Sequence, residues 1–253
     1  MMTQKEALFR YLLRQGDQAL IHGHRLSEWC SKGPFLEEDL ALANIALDYI
    51  GRASAFLKYA AEVEGKSRTE DDLAYKRGER EFLNSLIVEL PRGDFAFAMA
   101  RQLLLSSYEY LMFSDLMGSA DTTIAGISAK AFKEIRYHWT HSRDWCIRLG
   151  KGTELSRQKL QSAFNELWSY TDELFEMAEE DHVLLASGQG CNLYELKVIW
   201  MELVVSIIRD AEIQLPTSAY AQTGSRKGIH TEHLGHLLAE MQYLPRAYPD
   251  AIW

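Results

Sequence analysis

Apolar residues recur along most of this chain at the three- and four-residue spacing of amphipathic helices, and alternating, strand-like runs are nearly absent. The five prolines lie between these periodic stretches, where a proline ends or begins a helix without breaking it. Short glycine-containing turns at 118–121 and 150–153 require consecutive helices to lie antiparallel. The pattern predicts helices at 4–31, 35–65, 79–89, 94–118, 122–150, 154–186, 192–214 and 230–244.

The predicted helix boundaries carry recognisable start and stop residues. Residues 32–34 read Lys-Gly-Pro, which ends one helix and places Pro34 in the opening turn of the next. Asp94 and Thr153 stand where N-caps are needed. The longest irregular segment is 216–229. We therefore expect an all-α bundle of long antiparallel helices, folded as a single domain over 1–253, with 216–253 as a C-terminal docking extension.

Composition narrows the range of partners and compartments. With 253 residues and 47% hydrophobic residues, the chain can bury one sizeable core. A formal net charge of −9 disfavours nucleic acid and anionic membranes as partners. The sequence also lacks an uninterrupted run of 18 apolar residues, which a membrane-spanning helix would need. Cys30, Cys146 and Cys191 are scattered and form no CxxC pair, which favours a reducing cytoplasm over a disulfide framework.

Two polar residues, Asn44 and Asp48, interrupt the otherwise apolar stretch 40–53 with a helical i,i+4 spacing. Polar side chains on a core-facing helix need partners there. One interpretation is a hydrogen-bonded pair inside the core. The other is the position at which a helical bundle holds a carboxylate ligand of a di-iron centre.

The di-iron template requires Glu-x-x-His on two helices and one glutamate from each of two others. Glu134 and His138 share one helix face, but the four-residue frame that ends at His138 begins at Ile135. Glu109 is followed three residues later by methionine, and Asp210 lies in a helix without histidine. The chain lacks the two Glu-x-x-His motifs that the template requires, since Glu179-x-x-His182 is its one instance. This absence argues against a di-iron oxygenase of the usual kind. A di-iron oxygenase with an unusual ligand set stays as an alternative.

The stretch HTEHLGHLLAEMQYL at 230–244 contains three of the eight histidines. On a helical wheel, His230, His233 and His236 spread over about a third of the circumference and do not converge. We favour a docking helix in which His230 and His233 donate hydrogen bonds into a buried interface. The alternative is a surface metal site formed by two of these histidines and Glu240. The preceding basic run GSRKG, 224–228, is interpreted as an exposed loop in preference to a phosphate site.

Four stretches carry a resemblance to a known family: LSEWC (26–30), EEDLALANIALDYIGRA (37–53), ISAKAFKEIRYHWTHSRDW (127–145) and TGSRKGIHTEHLGHLLAEMQYL (223–244). They resemble the C-type, non-catalytic subunits of bacterial phenylacetyl-coenzyme A epoxidase, the multicomponent monooxygenase of aerobic phenylacetate degradation. The resemblance covers nearly the whole chain in order. Its most specific part is the C-terminal signature, to which His230, Glu232, His233 and Glu240 belong.

The resemblance implies a ferritin-like helical bundle and a division of labour between subunits. A paralogous, catalytic A-type subunit carries the di-iron centre and binds the coenzyme A thioester, a small B-type subunit joins the assembly, and a separate reductase delivers electrons. This chain is expected to bind no cofactor and to support its catalytic paralogue. The family's two Glu-x-x-His motifs fall on residues 49–52 and 135–138, which leaves Arg52 in place of an imidazole and Ile135 in place of a carboxylate.

A bundle that has lost its metal must still neutralise its interior acids. The resemblance places Asp48, Glu134, His138 and Asp210 in that interior, and we expect Arg52, together with Lys130 or Arg136, to replace the iron by salt bridges. The leading hypothesis is a structural subunit; the alternatives are an active oxygenase and a surface metal-binding bundle. Whether the isolated chain dimerises stays open. Candidate interface anchors are Phe175, Trp168, Tyr170, Trp139, Trp145 and Trp253.

Overall fold

The computed structural model describes residues 2–218, 220–249 and 251, and within them the chain forms ten α-helices and no β-strand. The helices are α1 (Gln4–Ser27), α2 (Leu36–Glu64), α3 (Glu70–Tyr75), α4 (Phe95–Leu116), α5 (Thr122–Lys151), α6 (Glu154–Leu167), α7 (Glu179–Ala186), α8 (Leu193–Asp210), α9 (Glu232–Met241) and α10 (Tyr243–Ala247). The predicted all-α architecture is confirmed.

Four long helices form the centre of the molecule. α1 packs along α2, α4 packs along α5, and the two pairs meet through α2 and α5. The remaining helices cover this core, since α6 and α8 lie against α4 while α7 lies against α1. Large apolar side chains such as Tyr11, Phe56, Phe113 and Trp200 are almost fully buried between these elements. Their burial is the main favourable term for a bundle of this size.

Polar N-caps fix several helix starts where the sequence placed them. The Asp94 carboxylate accepts a hydrogen bond from the Phe97 amide at 3.0 Å, and the Thr153 hydroxyl accepts one from the Ser156 amide at 3.1 Å. Both caps satisfy amides that have no partner within their helix. Pro34, by contrast, precedes α2 instead of opening it, because the helix begins at Leu36.

The predicted helix at 79–89 is wrong. The segment forms two 3₁₀ turns, Glu79–Glu81 and Leu86–Val88, joined by extended chain. Its amides bond to side chains from elsewhere: Leu83 to Asp17, Ser85 to Gln18 at 2.9 Å, and Leu86 to Glu173 at 2.8 Å. These distant acceptors replace the i−4 carbonyls that an α-helix would need.

The predicted helix at 154–186 is interrupted. α6 ends at Leu167, two 3₁₀ turns follow, and α7 resumes at Glu179. Trp168 and Phe175, on those turns, place their ring centroids 5.9 Å and 5.2 Å from that of Trp200 on α8. Packing against α8 therefore overrides the helical periodicity of this stretch.

The predicted helix at 230–244 begins later than expected and is broken. α9 starts at Glu232 and α10 follows after Gln242. Elsewhere in the chain, the short helix α3 was not predicted. The C-terminal chain lies on the bundle, where the Gln242 amide donates to the Arg77 carbonyl at 3.0 Å. His230 therefore precedes the helix and does not belong to its apolar stripe.

The aromatic residues expected to anchor an interface pack mostly inward. Phe175 is 2% exposed. Trp168, Tyr170, Trp139 and Trp145 are partly buried and pack against the core. Their first role is core packing. Trp253 lies outside the described residues.

Within the described part of the chain, α2 is the one helix long and apolar enough to meet the criteria of a membrane span. Its best 18-residue window has a mean hydropathy of 1.2, and 44% of that window is buried against other helices. The core helix of a globular bundle passes the same test, so the finding carries little weight.

Two glycines on α5 give a matched test of helix packing. A Cβ at Gly150 would lie 1.9 Å from the Ala211 carbonyl oxygen just beyond α8, whereas a Cβ at Gly126 would meet nothing within 4 Å. We expect Gly150→Ala to lower the free energy of unfolding by roughly 1–3 kcal/mol through overpacking. Gly126→Ala should raise it by about 0.5–1 kcal/mol because alanine loses less backbone entropy in a helix.

Urea unfolding followed by circular dichroism measures both changes. Equal midpoints for the two variants would show that α5 and the end of α8 do not approach as closely as described.

Candidate functional site

A network of hydrogen-bonded, buried polar side chains crosses the centre of the bundle. His22 on α1 is hydrogen-bonded to Gln102 on α4, with 2.7 Å between Nε2 and Oε1. The Gln102 amide donates to the Tyr49 hydroxyl oxygen on α2 at 3.3 Å, and that hydroxyl donates to Glu109 on α4 at 2.7 Å. All four residues are buried. Such a network links three helices and fixes their relative register.

Arg52 neutralises Glu109, the acid at the end of this network. Its Nη1 lies 3.1 Å from Glu109 Oε2, and both side chains are at most 3% exposed. The guanidinium carbon also lies 4.5 Å from the Tyr49 ring centroid and 5.0 Å from that of Phe113. A cation held by one carboxylate and two aromatic rings can remain charged in an apolar interior.

A second group of polar residues lies at the edge of the core. His138 Nε2 on α5 is 2.9 Å from Asp48 Oδ2 on α2, and the His138 ring stacks on Tyr49 with 5.3 Å between centroids. The Asp48 side chain is 37% exposed, so this pair connects the buried network to solvent. Glu134 lies nearby and pairs with the exposed Lys130 at 3.7 Å.

Four residues predicted for the interior are exposed instead. Asp210 is exposed at the end of α8, next to Ala211, whose carbonyl touches Gly150. Since Gly150 follows His138 by twelve residues of helix, Asp210 lies about 18 Å along the bundle from His138. Asn44 and Arg136 are exposed on α2 and α5. Arg52 is therefore the cation that enters the core, and Lys130 pairs only at the surface.

Protonation in this network follows from burial and neighbours. Burial lowers the pKa of His22 well below its ordinary value. Burial also lowers the pKa of His138, although the hydrogen bond that His138 donates to Asp48 opposes this shift. Both imidazoles are thus neutral. Burial and then the Glu109 carboxylate raise the pKa of Tyr49 well above its ordinary value, so its hydroxyl stays a donor. Burial opposes the charge of Arg52, but Glu109 outweighs it and the pKa of Arg52 is raised.

Glu134, the acid at the edge of the core, has a shifted pKa. Burial, followed by the neighbouring Asp48, raises the pKa of Glu134. Two carboxylates close together disfavour each other's charged forms. Lys130 offsets this only partly, because it is largely exposed to solvent.

The donor set at the centre does not fit a di-iron centre. Tyr49, Arg52, Ile135 and His138 all face the interior, but only His138 is a residue that commonly ligates iron. The Glu109 carboxylate is already engaged by Arg52 and by the Tyr49 hydroxyl. A metal cation beside Glu109 would meet the positive charge of Arg52. Within the described residues, no three His, Cys, Asp or Glu side chains gather as a metal site.

Sequence reasoning missed two members of this network, His22 and Gln102. Neither belongs to a motif. Their pairing depends on how α1 lies against α4, which helical periodicity does not specify. No sequence signal singles out His22, because the polar residues Gln18 and Arg25 share its helix face.

The C-terminal histidines do not converge. His230 is buried and bonded to Glu89, with 2.6 Å between Nδ1 and Oε1. His233 is one-third exposed and lies 4.0 Å from Glu232, whose side chain is 81% exposed. His236 and Glu240 are exposed on α9. The geometry therefore supports a buried contact for His230 alone.

The basic run at 224–228 is not the exposed loop that the sequence suggested. Arg226 is buried, and its Nη2 donates to the Glu173 carbonyl at 3.3 Å. The Ser225 amide donates to Glu173 Oε1 at 3.0 Å. Of the two cationic residues in this run, Lys227 is exposed and Arg226 is not. The run fastens the C-terminal chain to the bundle.

The Arg52–Glu109 pair gives a direct test of the network. Arg52→Met leaves a buried carboxylate without a counter-charge, and we expect it to lower the free energy of unfolding by about 3–5 kcal/mol. Adding Glu109→Gln removes that charge while leaving an acceptor for the Tyr49 hydroxyl, so the double variant should recover most of the loss. Equilibrium urea unfolding of both variants measures this.

Lys130→Met is the matched control, because its ion pair with Glu134 is largely solvated. It should leave the unfolding midpoint unchanged. If Arg52→Met unfolds at the same urea concentration as Lys130→Met, Glu109 does not depend on Arg52.

Comparison with known proteins agrees with this architecture. The Phenylacetic acid catabolic protein family matches residues 1–253. Among curated proteins, the C-type subunit of the 1,2-phenylacetyl-CoA epoxidase of Escherichia coli (strain K12) is 48% identical over 246 residues, which cover 97% of this chain and 99% of that relative. The bundle described above is thus of the ferritin-like type, and this chain belongs to the Phenylacetic acid catabolic protein family.

Proposed function

We propose that this chain is a structural subunit of a phenylacetyl-CoA epoxidase complex and does not itself carry out the oxygenation. Membership of the family and 48% identity to a C-type epoxidase subunit over nearly the full length support a place in phenylacetate catabolism. Because that relative is one subunit of an epoxidase, the similarity also supports a role within a larger assembly.

One observation carries the non-catalytic part of this proposal. The guanidinium of Arg52 lies against Glu109 in the middle of the four-helix core, where the resemblance places a metal ligand in catalytic relatives. A fixed protein cation balances the buried acid at that point and leaves no ligand set for two irons. The chain accordingly binds no cofactor, and the di-iron centre belongs to a partner.

The partners that follow are a paralogous, catalytic A-type subunit, which holds the metal, and a small B-type subunit. Nucleic acid and membrane are not among them, given the net charge of −9. We place the complex in the cytoplasm, since Cys30, Cys146 and Cys191 are all free thiols.

The outward face of α2 is the surface we assign to the catalytic partner. Leu36, Leu40 and Leu47 are 71%, 56% and 67% exposed along one face of the helix. Gly51 and Ser54 continue that face with small residues, and the space above Gly51 is open. Exposed apolar rows of this kind mark interaction sites, and small residues allow a partner helix to approach closely. A partner that is itself a helical bundle fits this surface.

The α2 face can be tested with a charged substitution. Leu47→Arg should reduce co-purification with a tagged catalytic paralogue at least about tenfold, since it places an unpaired charge in an apolar contact. Pull-down of the two co-expressed chains, quantified by densitometry, measures the loss. The variant should keep the wild-type circular dichroism spectrum, because Leu47 makes little contact with its own fold.

Leu155→Arg on α6 is the matched control, because Leu155 is 64% exposed on a different helix. It should co-purify normally. The reverse outcome, with Leu155→Arg weakened and Leu47→Arg normal, would move the interface away from α2. Normal recovery of both variants would remove the evidence for an apolar docking face on either helix.

Metal content separates the proposal from its alternatives. The chain expressed alone in iron-replete cells should carry no stoichiometric iron by mass spectrometry, because the core lacks the ligands. About two irons per chain would support an oxygenase with an atypical ligand set instead. A dialysis-resistant metal that disappears in His233→Ala would support a surface metal-binding bundle.

A further inference from the structure

His230 joins the C-terminal segment, residues 225–241, to two elements of the bundle. The turn before it depends on Gly228, whose φ is +70° and where a Cβ would lie 2.2 Å from the Arg80 carbonyl oxygen. This close approach directs the next residues inward. The His230 side chain is fully buried as a result.

Both ring nitrogens of His230 face acceptors. Nδ1 lies 2.6 Å from Glu89 Oε1, and Nε2 lies 2.9 Å from the Phe82 carbonyl oxygen. A carbonyl oxygen and an ionised carboxylate cannot donate a proton, so both hydrogen bonds exist only when both nitrogens carry one. His230 is therefore an imidazolium cation in this fold. Burial opposes that charge, but the Glu89 carboxylate outweighs it and the pKa of His230 is raised above its ordinary value.

Glu89 depends on this cation. Its carboxylate is fully buried and accepts four hydrogen bonds, from His230, from Asn84 at 2.9 Å, and from the amide and hydroxyl of Thr231 at 2.8 Å each. Three of these donors lie on the C-terminal segment. Arg25 also contacts Glu89, but it donates to the backbone carbonyl and not to the carboxylate. The positive charge that balances the carboxylate comes from His230.

Other charged groups near His230 add to the same balance. Glu79, on the first 3₁₀ turn, favours the imidazolium, and Asp17 on α1 interacts favourably with it. Asp17 is paired with Arg77. Arg25, from the end of α1, donates to the His233 carbonyl at 3.2 Å. The acids around His230 thus favour its charged form.

The other fully buried ion pairs within the described residues use arginine. They join Arg14 to Asp181 and Glu180, Arg52 to Glu109, and Arg77 to Asp17. Arginine stays protonated at every pH at which a protein folds. His230 is different, because a histidine loses its proton within the physiological range.

We propose that the His230–Glu89 pair is a proton-operated latch, which holds the C-terminal segment on the bundle and releases it as the medium becomes alkaline. Loss of one proton leaves an imidazole lone pair opposite an acceptor oxygen and removes the cation from a buried carboxylate. The arginine pairs of the four-helix core do not change, so the release is local.

The direction of the pH effect follows from linkage. The closed state binds the proton more tightly than the open state, in which His230 has the ordinary pKa of about 6.5. The latch is therefore fully effective below about pH 6.5 and is lost as the pH rises through the pKa of the closed state. Between these two values the opening constant grows by up to about tenfold per pH unit, and above them it levels off.

Hydrogen exchange of the full-length chain, read by mass spectrometry and corrected for intrinsic exchange rates, measures this opening. Amides of α9 should lose protection with rising pH above about 6.5, whereas amides of α4 should not. His230→Gln cannot titrate, so its α9 protection should be flat across the same range and at least about tenfold lower at pH 6. His233→Gln, on the same segment but partly exposed, should keep the wild-type pH dependence.

Two results would overturn the latch. One is α9 protection in the wild-type chain that does not change with pH. The other is a pH dependence that survives in His230→Gln. Should that variant fail to fold, ¹⁵N NMR titration of histidine-labelled wild-type protein decides the matter. A His230 midpoint above about 6.5 supports the latch, and one at or below that value refutes it.

Discussion

Arg52 and Glu109 oppose each other at 3.1 Å in the middle of the bundle, and neither side chain reaches water. A buried carboxylate without a partner is far less stable than one beside a cation, so each residue requires the other. The surrounding residues follow from this pair. Tyr49 donates to Glu109 and places its ring beside the guanidinium, while Gln102 and His22 extend the hydrogen bonds to α1. Three helices are thereby fixed around one pair of charges.

The same pair connects the fold to the proposed role. A helical bundle of this type can balance interior acids with metal ions or with its own cations, and this chain has the second arrangement. A covalently attached cation cannot be lost, exchanged or reduced. A permanent charge of this kind suits the proposed role of a chain that supports a catalytic partner.

Much of the fold could be predicted from the sequence, because the long helices carry their own apolar periodicity and their own caps, as at Asp94 and Thr153. Arg52 could be placed only through the resemblance to the epoxidase family, which sets residues 49–52 against a metal-binding motif. His22 and Gln102 could not, since their pairing depends on how two helices meet. Asp210 was misplaced for a related reason: spacing along one helix does not say how far along the bundle a residue lies. Segment 79–89 failed because its hydrogen-bond partners are distant in sequence.

That segment also has a consequence for how the protein forms. The Leu83 amide bonds to Asp17, which precedes it by 66 residues, but Leu86 needs Glu173, 87 residues later, and the Phe82 carbonyl needs His230, 148 residues later. At ribosomal rates of 5–20 residues per second, the last of these partners appears about 7 to 30 s after the segment itself. During that interval the segment, which contains Phe82, Leu83 and the apolar run 86–88, is synthesised but lacks its hydrogen-bond partner. Until the C-terminal residues are synthesised, this part of the nascent chain is open to chaperones and to premature association.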